Sequence, residues 1–513
     1  MVNLDDTQPN RPVGIRTYSS EIPAPPRFLL WGVIGLFVLG ILGAFVGIYL
    51  FREALPPRYQ ARVMQSFPFM EAFMPGGGTI PTAAAVDPEA QSALLQLSLS
   101  LPDTTSEATS PAMVPAETTA EAEATADGVA AAATIIPATV TPQLTNTALP
   151  TPIPEPTVTT TTAPLPTPEA TAQVAVPDTS VVVDTSSTTA EVDPALTRAA
   201  THTLGGFRWE RQKWNNCGPT NITMALSYYS WPEDQDYAAQ FLRPNVEDKN
   251  VTPQEMADFV NEQTLVRAMT SFGGDLELLR QLLYNGFPVI IEVGGTLFQA
   301  YDWIGHYRTL VGYNDSAGVF YIYDSFLGSG ANGEGVTERY DVLDQHWQAF
   351  NRTFIVVYEP AREQLLMDIL GDQAHPGRAA VAAFEAAQRE ATADPTNPFV
   401  WFNMGSSLVE LARYEEAANA FDRAASNGLP WRMLWYQFGP FEAYYNAGRY
   451  DDVLSLVENN LTNNGEYVEE TYYWQGRVFQ AQGRTQDAIN AFRTALSMNS
   501  NFTEARQALD SLS

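Results

Sequence analysis

A long segment without basic residues limits how much of this chain can fold. Between residues 63 and 197 there is no Lys, Arg or His, and Ala, Thr, Pro, Ser and Val dominate. Such a composition cannot bury enough apolar surface to offset the entropy that is lost on ordering. We therefore predict a disordered, Pro/Thr-rich linker over residues 76–198, which leaves about 310 residues for folded domains.

The overall charge and the cysteine content exclude several classes of site and partner. The formal net charge is −31, whereas nucleic acids and anionic membrane surfaces are bound through basic patches. We therefore expect no nucleic-acid partner. The chain has one Cys, so an intramolecular disulfide and a zinc site built of thiolates are both excluded. No cofactor and no metal are predicted.

An uncharged run near the N-terminus is long enough to cross a membrane. Residues 28–51 carry no charge and lie between Arg27 and Arg52. At about 1.5 Å per residue, a helix of this length spans a hydrocarbon core of about 30 Å. A cleaved signal peptide is the alternative, but its apolar region is only about 7–15 residues long and a small-residue cleavage site follows it. We predict an uncleaved transmembrane helix between a short tail (1–27) and a juxtamembrane segment (52–75).

The charges on either side of this run do not determine its orientation. Three arginines precede it and three follow it (Arg11, Arg16 and Arg27; Arg52, Arg58 and Arg62), which is a tie under the positive-inside rule. Pro/Thr-rich linkers commonly hold domains away from the outer face of a membrane. By this analogy we predict a single-pass cell-membrane protein with its N-terminus inside and its folded domains outside.

The single thiol, Cys217, precedes a segment with helical periodicity. Ile222, Leu226 and Tyr229 lie on one helical face, and Pro219 suits a first helical turn. Cys217 is therefore expected at a helix N-terminus, where the helix dipole and the unpaired N–H groups lower the pKa of a thiol. Two interpretations remain at this point, a nucleophile or a small buried apolar residue.

The segments that follow predict an α+β domain over residues 199–362. Helices are expected over residues 253–263, where Thr252 and Glu255 have the spacing of a capping box, and over residues 275–284. The pattern then changes to strands, over residues 288–293, 306–313, 319–324 and 353–358. Helices first and strands later are typical of a domain with a helical half and a sheet half. The thiol would lie between the two halves.

One histidine and one aspartate are expected to meet at an edge of this sheet. His306 begins a strand, and Asp324 ends the next strand after a short turn. Adjacent antiparallel strands bring these two ends together, as a general base and its orienting carboxylate require. His346 is a rival base, although its helical setting favours a surface or packing role. Asp315 is assigned to the turn.

A glycine-rich stretch resembles a dinucleotide-binding motif. Residues 328–333 match the pattern GxGxxG and follow a strand. No segment with helical periodicity follows directly, and the binding motif requires one. We therefore predict a loop that borders the cleft.

Together these residues resemble a known peptidase family. Asn-Cys-Gly-Pro at a helix start, Gly-His at a strand start and Asp at the end of the next strand are similar to the bacteriocin-processing double-glycine leader peptidases and their stand-alone relatives. These are papain-like cysteine peptidases, and the resemblance covers residues 207–358. It implies that Cys217 is the nucleophile, His306 the base and Asp324 the orienting residue. It also implies that Gln212 stabilises the oxyanion together with the Cys217 N–H.

Two features depart from that family. Gln212 lies five residues before Cys217, whereas the oxyanion Gln of the family usually lies six residues before its Cys. The bacteriocin-processing members are also fused to multi-span transporters, and nothing in this sequence resembles one. Cleavage after a double glycine is therefore not expected to carry over.

The C-terminal region, residues 363–513, resembles an array of tetratricopeptide repeats. Similar residues recur after the 34–37 residues that are typical of this repeat. They define two full units (Trp401, Gly405, Leu408, Ala417, Phe421 and Ala424; Tyr472, Gly476, Phe479, Ala488, Phe492 and Ala495), a degenerate unit (Tyr444, Tyr450, Val453 and Val457), a partial one (Ala380, Phe384 and Ala387) and a capping helix (503–509).

Such arrays form a concave groove for an extended peptide or a partner protein, unless they only support the first domain. The aromatic segment 428–435 is expected either to pack on the catalytic domain or to form a binding patch.

Two functions from different classes fit this predicted architecture. The first is a membrane-anchored papain-like cysteine peptidase, which cleaves peptide bonds through an acyl-enzyme and uses its repeats to recruit a substrate or a partner. A transamidase or another acyl transferase would use the same groups. The alternative is an inactive, peptidase-like scaffold whose repeats bind a protein partner.

Overall fold

The computed structural model describes residues 27–51, 86–99, 198–297 and 302–512, together with residues 55, 59, 60, 63, 67, 70 and 79–81. The predicted N-terminal tail except Arg27, most of the juxtamembrane segment and most of the predicted linker lie outside the described residues. The first helix, α1 (Arg27–Tyr49), contains most of the predicted membrane-spanning run, and its side chains are described only in part. Judged on the described residues, no helix has the length and apolar character needed to cross a membrane.

The region from residue 198 to residue 370 forms an antiparallel sheet between two layers of helices. Its elements in chain order are β1 (Thr201–Thr203), α3 (Cys217–Ser227), α4 (Gln235–Leu242), α5 (Pro253–Gln263), β2 (Arg267–Ser271), α6 (Leu276–Tyr284), β3 (Val289–Gly295), β4 (Ile304–Asn314), β5 (Val319–Tyr323), β6 (Val336–Arg339), α7 (Tyr340–Gln348), β7 (Phe354–Tyr358) and α8 (Glu363–Leu370). A 3-10 turn, Pro360–Arg362, precedes α8. The helix α2 (Pro88–Gln96) lies earlier in the chain.

The sheet places its most apolar strands at its centre. Within the described residues the strand order is β2-β7-β3-β4-β5-β6, and β1 also pairs with β4. Every residue of β7 is buried, as is nearly every residue of β3 and β4. Helices α3, α4 and α5 cover one face of the sheet, and α6, α7 and α8 cover the other. Burial on both faces explains why these strands are continuous apolar runs rather than alternating ones.

Several predicted helix boundaries are confirmed. α5 has the predicted bounds, and its capping box is complete, since the side chains of Thr252 and Glu255 bond to each other's backbone N–H groups. α6 begins one residue after Asp275, whose carboxylate accepts a hydrogen bond from the Leu278 N–H at 2.7 Å. α3 begins at Cys217. The starts of α5 and α6 were predictable because capping depends on neighbouring residues alone, and that of α3 was predictable from Pro219 and the apolar periodicity.

The C-terminal region consists of packed helix pairs. Its elements are a 3-10 turn (Gly371–Ala374), α9 (Pro376–Ala393), α10 (Pro398–Glu410), α11 (Tyr414–Ser426), a 3-10 turn (Trp431–Trp435), α12 (Gly439–Asn446), α13 (Tyr450–Thr462), α14 (Glu469–Ala481), α15 (Thr485–Met498) and α16 (Thr503–Asp510). In two pairs a glycine faces a phenylalanine of the next helix. A Cβ on Gly405 would lie 2.6 Å from the Phe421 ring, and one on Gly476 would lie 2.5 Å from Phe492. The glycines of the repeat pattern therefore allow the two helices of each pair to pack closely.

The repeat domain shares an apolar core with the sheet domain. Trp303, Ala349 and Phe350, which follow or precede strands of the sheet, belong to the core cluster of the repeat helices. Polar contacts flank this shared core, since Asn403 Nδ2 donates to the Gln348 carbonyl at 2.8 Å. Side chains that interdigitate in this way resist relative motion of the two domains. The repeat domain is therefore docked on the sheet domain.

Part of the predicted linker is ordered, so the prediction of disorder from residue 76 is wrong for that part. Leu94 of α2 is 2 % exposed and lies in the core of the repeat domain. Gln388 Nε2 donates to the carbonyls of Leu94 and Leu97 at 2.9 and 3.0 Å, and the Ile80 N–H donates to the Leu429 carbonyl at 2.9 Å. The average composition of the linker concealed this short apolar stretch.

The last repeat contacts the helical half of the sheet domain through carboxylates. Asn499 Nδ2 donates to Glu469 at 2.7 Å and lies 3.5 Å from Glu255 on α5. Burial and the charge of Glu255 raise the pKa of Glu469 to about 7, although the Asn499 hydrogen bond and Arg243 oppose the shift. The pKa values of Asp248 and Glu470 are also raised, by burial and by Glu469, and that of Glu255 is raised by burial. The contact therefore favours protonated carboxyl groups.

We predict that ionisation of Glu469 destabilises the folded protein. Its folded-state pKa of about 7 exceeds the usual value of 4.5, so stability is full below pH 4.5, falls as the pH rises to about 7, and stays low above that. Glu469→Gln keeps the acceptor for Asn499 and removes this charge. At pH 8 it should raise Tm by about 2–4 °C for each kcal/mol of ionisation penalty that is removed.

Thermal unfolding at pH 4 and pH 8 measures this effect. At pH 4 the variant and the wild type should unfold at the same temperature. Glu415→Gln, which alters an exposed carboxylate of the same domain, is the matched control and should change neither value. An equal gain at both pH values would contradict the assignment to ionisation.

Candidate active site

Cys217 is the first residue of α3, and buried polar side chains hold the loop before it. The side-chain oxygen of Gln235 on α4 accepts hydrogen bonds from the Lys213 N–H at 2.7 Å and from Asn216 Nδ2 at 3.0 Å. The buried guanidinium of Arg243 donates to the side-chain oxygen of Asn216. The loop is therefore fixed to α4 on its way into α3, and the thiol is partly exposed at the helix start.

Cys217 and His306 form a hydrogen-bonded pair between α3 and the start of β4. Burial opposes ionisation of the thiol, but the hydrogen bond and charge of His306, the Tyr307 N–H and Arg243 together lower the pKa of Cys217. Burial also disfavours the imidazolium, yet the charge and hydrogen bond of Asp324, together with the thiol, raise the pKa of His306 to about 9. Both shifts favour the ion pair, with the proton on the imidazole and the negative charge on sulfur, over the neutral pair.

Asp324 orients the imidazole ring from the opposite side. His306 Nε2 lies 3.1 Å from Asp324 Oδ1, so Nδ1 is the ring nitrogen that remains for the thiol. Arg308 Nε donates to Oδ2 at 2.9 Å, and the N–H groups of Phe326 and Leu327 donate to Oδ1 at 2.8 and 2.9 Å. Burial raises the pKa of Asp324, but His306, Arg308 and these N–H groups outweigh it and hold the pKa well below its usual range. The carboxylate is therefore charged.

The rival histidine, His346, belongs to the far side of this network. Its Nδ1 lies 3.0 Å from Glu338, which also pairs with Arg308. A Cβ on Gly295 would lie 2.9 Å from His346 Cδ2, so the ring packs against β3. His346 contacts the network through Glu338, which favours the packing role expected from its helical setting over that of a base.

A buried asparagine joins the helix that begins with Cys217 to the strand that carries His306. Asn221, which is fully buried, lies one helical turn after Cys217. Its Nδ2 donates to the carbonyls of Cys217 and Tyr307, both at 2.9 Å, and its Oδ1 accepts from Thr309 Oγ1 at 2.9 Å. These bonds join α3 to β4 directly. They hold the first turn of α3 against the strand that carries His306.

Gln212 reaches the same site despite its unusual spacing from Cys217. Its Oε1 accepts from Ser325 Oγ at 2.7 Å, and Ser325 Oγ accepts in turn from Asn221 Nδ2 at 3.2 Å. Between Gln212 and Cys217, Asn215 adopts a left-handed conformation with φ 51°, which folds the loop back towards the site. Among the described residues Gln212 Nε2 has no hydrogen-bond acceptor, which leaves it as a donor for a substrate oxygen.

Two further sequence elements lie where they were expected. Asp315 is in the turn between β4 and β5, where it accepts from Arg198 at 2.5 Å and from the Tyr340 hydroxyl at 2.9 Å. Residues 328–333 form a loop that β6 follows, rather than a helix. Gly328 exchanges two backbone hydrogen bonds with Asp324, at 2.9 and 3.0 Å. The loop therefore borders the site and does not have the helix start of a dinucleotide-binding motif.

Sequence reasoning missed several residues of the site. Arg308 lies two residues after His306 on β4. Side chains alternate along a strand, so both lie on one face, and this spacing could have identified Arg308 as a residue of the site. Asn221 lies four residues after Cys217, on the same face of α3. Glu292 gave no local signal. It is 5 % exposed on β3, where burial and the charge of Cys217 raise its pKa well above the usual range.

Comparisons with known proteins agree with the fold and with the repeats. Residues 205–355 match the family described as Peptidase_C39 like family, and residues 400–426 and 469–502 match the tetratricopeptide repeat. A solved structure from Bacillus anthracis, described as a C39-like peptidase, has 16 % sequence identity and a TM-score of 0.26, and the match covers 31 % of this chain and 96 % of that chain. No curated protein matches this chain. The resemblance to a peptidase followed by tetratricopeptide repeats is confirmed.

We predict that the charge of Asp324 controls the ionisation of Cys217. Asp324→Asn removes the main group that raises the pKa of His306. The imidazolium then deprotonates at lower pH, and the pKa of Cys217 rises because its thiolate loses a cationic partner. The pH profile of iodoacetamide alkylation should move to higher pH by about one unit or more.

Asp315→Asn is the matched control for this measurement, since it changes an aspartate of the neighbouring turn that pairs with Arg198 and Tyr340. Its alkylation profile should coincide with that of the wild type. An unchanged profile for Asp324→Asn would show that the thiol does not depend on the carboxylate.

Proposed function

We propose that this protein is a membrane-anchored cysteine peptidase that cleaves peptide bonds through an acyl-enzyme. The chain has a peptidase-like domain joined to a repeat domain. The observation that carries the proposal is the line of contacts from Cys217 through His306 to the buried, charged Asp324. It combines a nucleophile, a base and an orienting carboxylate, the three groups that thiol hydrolysis requires.

In the first half of the reaction, the thiolate of Cys217 attacks the carbonyl carbon of the scissile bond. A carbon–sulfur bond forms, and the carbonyl electron pair moves onto oxygen. The oxyanion then re-forms the carbonyl and expels the amine, which takes the proton of the His306 imidazolium. The product is a thioester on Cys217 and a free amine.

In the second half, water replaces the amine. Neutral His306 removes a proton from water, and the hydroxide oxygen attacks the thioester carbonyl carbon. Collapse of this intermediate breaks the carbon–sulfur bond and releases the carboxylic acid, which restores the thiolate and the imidazolium. An amine acceptor in place of water would make the same site a transamidase, and the product mixture distinguishes the two reactions.

Gln212 and the Cys217 N–H are proposed to hold the oxyanion in both halves. A helix start provides an unpaired N–H, and the side chain of Gln212 is fixed through its oxygen by Ser325 at 2.7 Å. Fixing the oxygen orients Nε2 before the substrate arrives. Donors that are already in place stabilise developing charge without a cost of reorganisation.

The membrane anchor is proposed from the sequence and from the exposure of apolar side chains. Residues 28–51 are uncharged, and on α1 the side chains of Phe37, Phe45 and Tyr49 are 69 %, 68 % and 64 % exposed. Apolar side chains exposed to this extent along a helix need an apolar environment. Phe51, after the helix, packs with Trp214 of the loop before Cys217. Anchoring would therefore hold the peptidase domain near the membrane surface.

The proposed orientation places both folded domains outside the cell membrane. Treatment of intact cells with a protease should then remove the C-terminal repeats. An antibody against residues of the last repeat detects this loss. A cytoplasmic protein of the same cells is the control and should remain whole. Persistence of the repeats in intact cells, with digestion only after lysis, would place the folded domains inside.

Peptide hydrolysis by the full chain tests the proposed reaction. A peptide library incubated with the wild-type protein should yield new N-termini, and Cys217→Ala should abolish them because no other thiol exists in the chain. Gln212→Ala should retain cleavage at a rate about 10²–10³-fold lower, the usual cost of one oxyanion donor. Mass spectrometry of the digests identifies the cleavage sites.

The alternative, an inactive scaffold whose repeats bind a partner, makes the opposite forecast. Wild type and Cys217→Ala would then give identical digests, and the thiol would react with iodoacetamide only at the high pH of an ordinary cysteine. Ser227→Ala is the control for a structural change in the same helix. It removes a buried hydroxyl that accepts a hydrogen bond from the Arg208 N–H at 2.8 Å, and it keeps the thiol.

A further inference from the structure

The segment between α11 and α12 is built into the sheet domain. It comprises the 3-10 turn Trp431–Trp435 and the next residue, Tyr436. Trp431 and Trp435 are 4 % and 9 % exposed, and Arg432 donates to the carbonyl of Trp303, just before β4, at 3.3 Å. Of the two expectations for this aromatic stretch, packing on the catalytic domain is therefore the correct one.

Tyr436 lies beside the residue that precedes His306. A Cβ on Gly305 would be 3.1 Å from both Cδ2 and Cε2 of the tyrosine ring. The ring also meets Trp303 and Phe350 edge-on, with centroid distances of 6.2 and 5.9 Å. These contacts fix the ring on three sides. Only a residue without a side chain at position 305 allows the repeat domain to approach this closely.

The phenol group of Tyr436 lies close enough to the reacting atoms to feel the charge of Cys217. Burial raises its pKa above the usual value, the charges of Cys217 and Glu292 raise it further, and Arg432 and the Gly305 N–H oppose the shift. The phenol therefore lies near the Gly305 N–H and within electrostatic range of the Cys217 sulfur. Among the described residues no acceptor is assigned to its own O–H. A phenol with a raised pKa retains that proton at every physiological pH.

We propose that Tyr436 is a substrate-binding residue, supplied by the repeat domain, whose O–H donates to a backbone carbonyl of the bound peptide next to the scissile bond. This inference rests on the proposed peptidase function and names the part of the substrate that the repeats recognise. The repeats would then form one wall of the active site, in addition to any role in recruitment.

The electrostatic surroundings of Tyr436 select the kind of acceptor. At the phenol the charge of Cys217 has a larger effect than the opposing charge of Arg432, so a substrate carboxylate at this position would be repelled. A neutral carbonyl has no such penalty and accepts one hydrogen bond from a phenol. We therefore expect cleavage within a peptide rather than next to its free C-terminus.

Tyr436→Phe in the full chain tests the proposal, because it keeps the ring contacts with Gly305 and Trp303 and removes only the O–H. Two alkylation rates of Cys217 are compared. One is that of iodoacetamide, which needs no peptide binding. The other is that of a chloromethyl ketone built on a peptide that the wild-type protein cleaves. The variant should react about tenfold more slowly with the peptide reagent, the usual cost of one hydrogen bond, and at the wild-type rate with iodoacetamide.

Tyr414→Phe is the matched control, since its hydroxyl donates to Glu442 of the repeat domain at 3.3 Å and is not near the thiol. It should leave both rates unchanged. Unchanged rates in Tyr436→Phe would overturn the inference, and an equal loss with both reagents would show that Tyr436 acts on the thiol and not on the peptide. If the wild type cleaves no peptide, the proposed function fails and this inference fails with it.

Discussion

The candidate site depends on a carboxylate that stays charged in a buried position. Asp324 is 1 % exposed, and a buried charge without partners would cost several kcal/mol. Arg308 and two backbone N–H groups offset that cost and keep the carboxylate ionised. Because it is ionised, His306 keeps its proton at neutral pH, and the Cys217 thiolate gains a cation beside it. The reactivity of the Cys217 sulfur therefore depends on Asp324, which acts on it through His306.

The second constraint is the shared core between the sheet domain and the repeats. Trp303, Ala349 and Phe350 are buried among repeat helices, so residues of the sheet domain complete the apolar core of the repeats. The strand that carries His306 begins at Ile304, directly after Trp303. A change in the repeats would therefore move the base relative to Cys217. The repeats therefore contribute to the geometry of the candidate site.

Local signals account for what the sequence predicted. Cys217 was placed by a helix start, and His306 and Asp324 by the ends of neighbouring strands, all of which depend on short stretches of chain. Glu292 and Tyr436 depend on contacts between residues that are far apart in sequence, and no local pattern marks such contacts. The ordered helix in the predicted linker was missed for a related reason, because its apolar side chains are buried only by the repeat domain.

The central claim is that Cys217 is a thiolate paired with an imidazolium at neutral pH. The chain has one cysteine, so the difference in ultraviolet thiolate absorbance between the wild type and Cys217→Ala reports this sulfur alone. The account predicts one equivalent of thiolate at pH 7, which is lost only under more acidic conditions. Thiolate absorbance that appears only above about pH 8.5, the value of an ordinary cysteine, would contradict it.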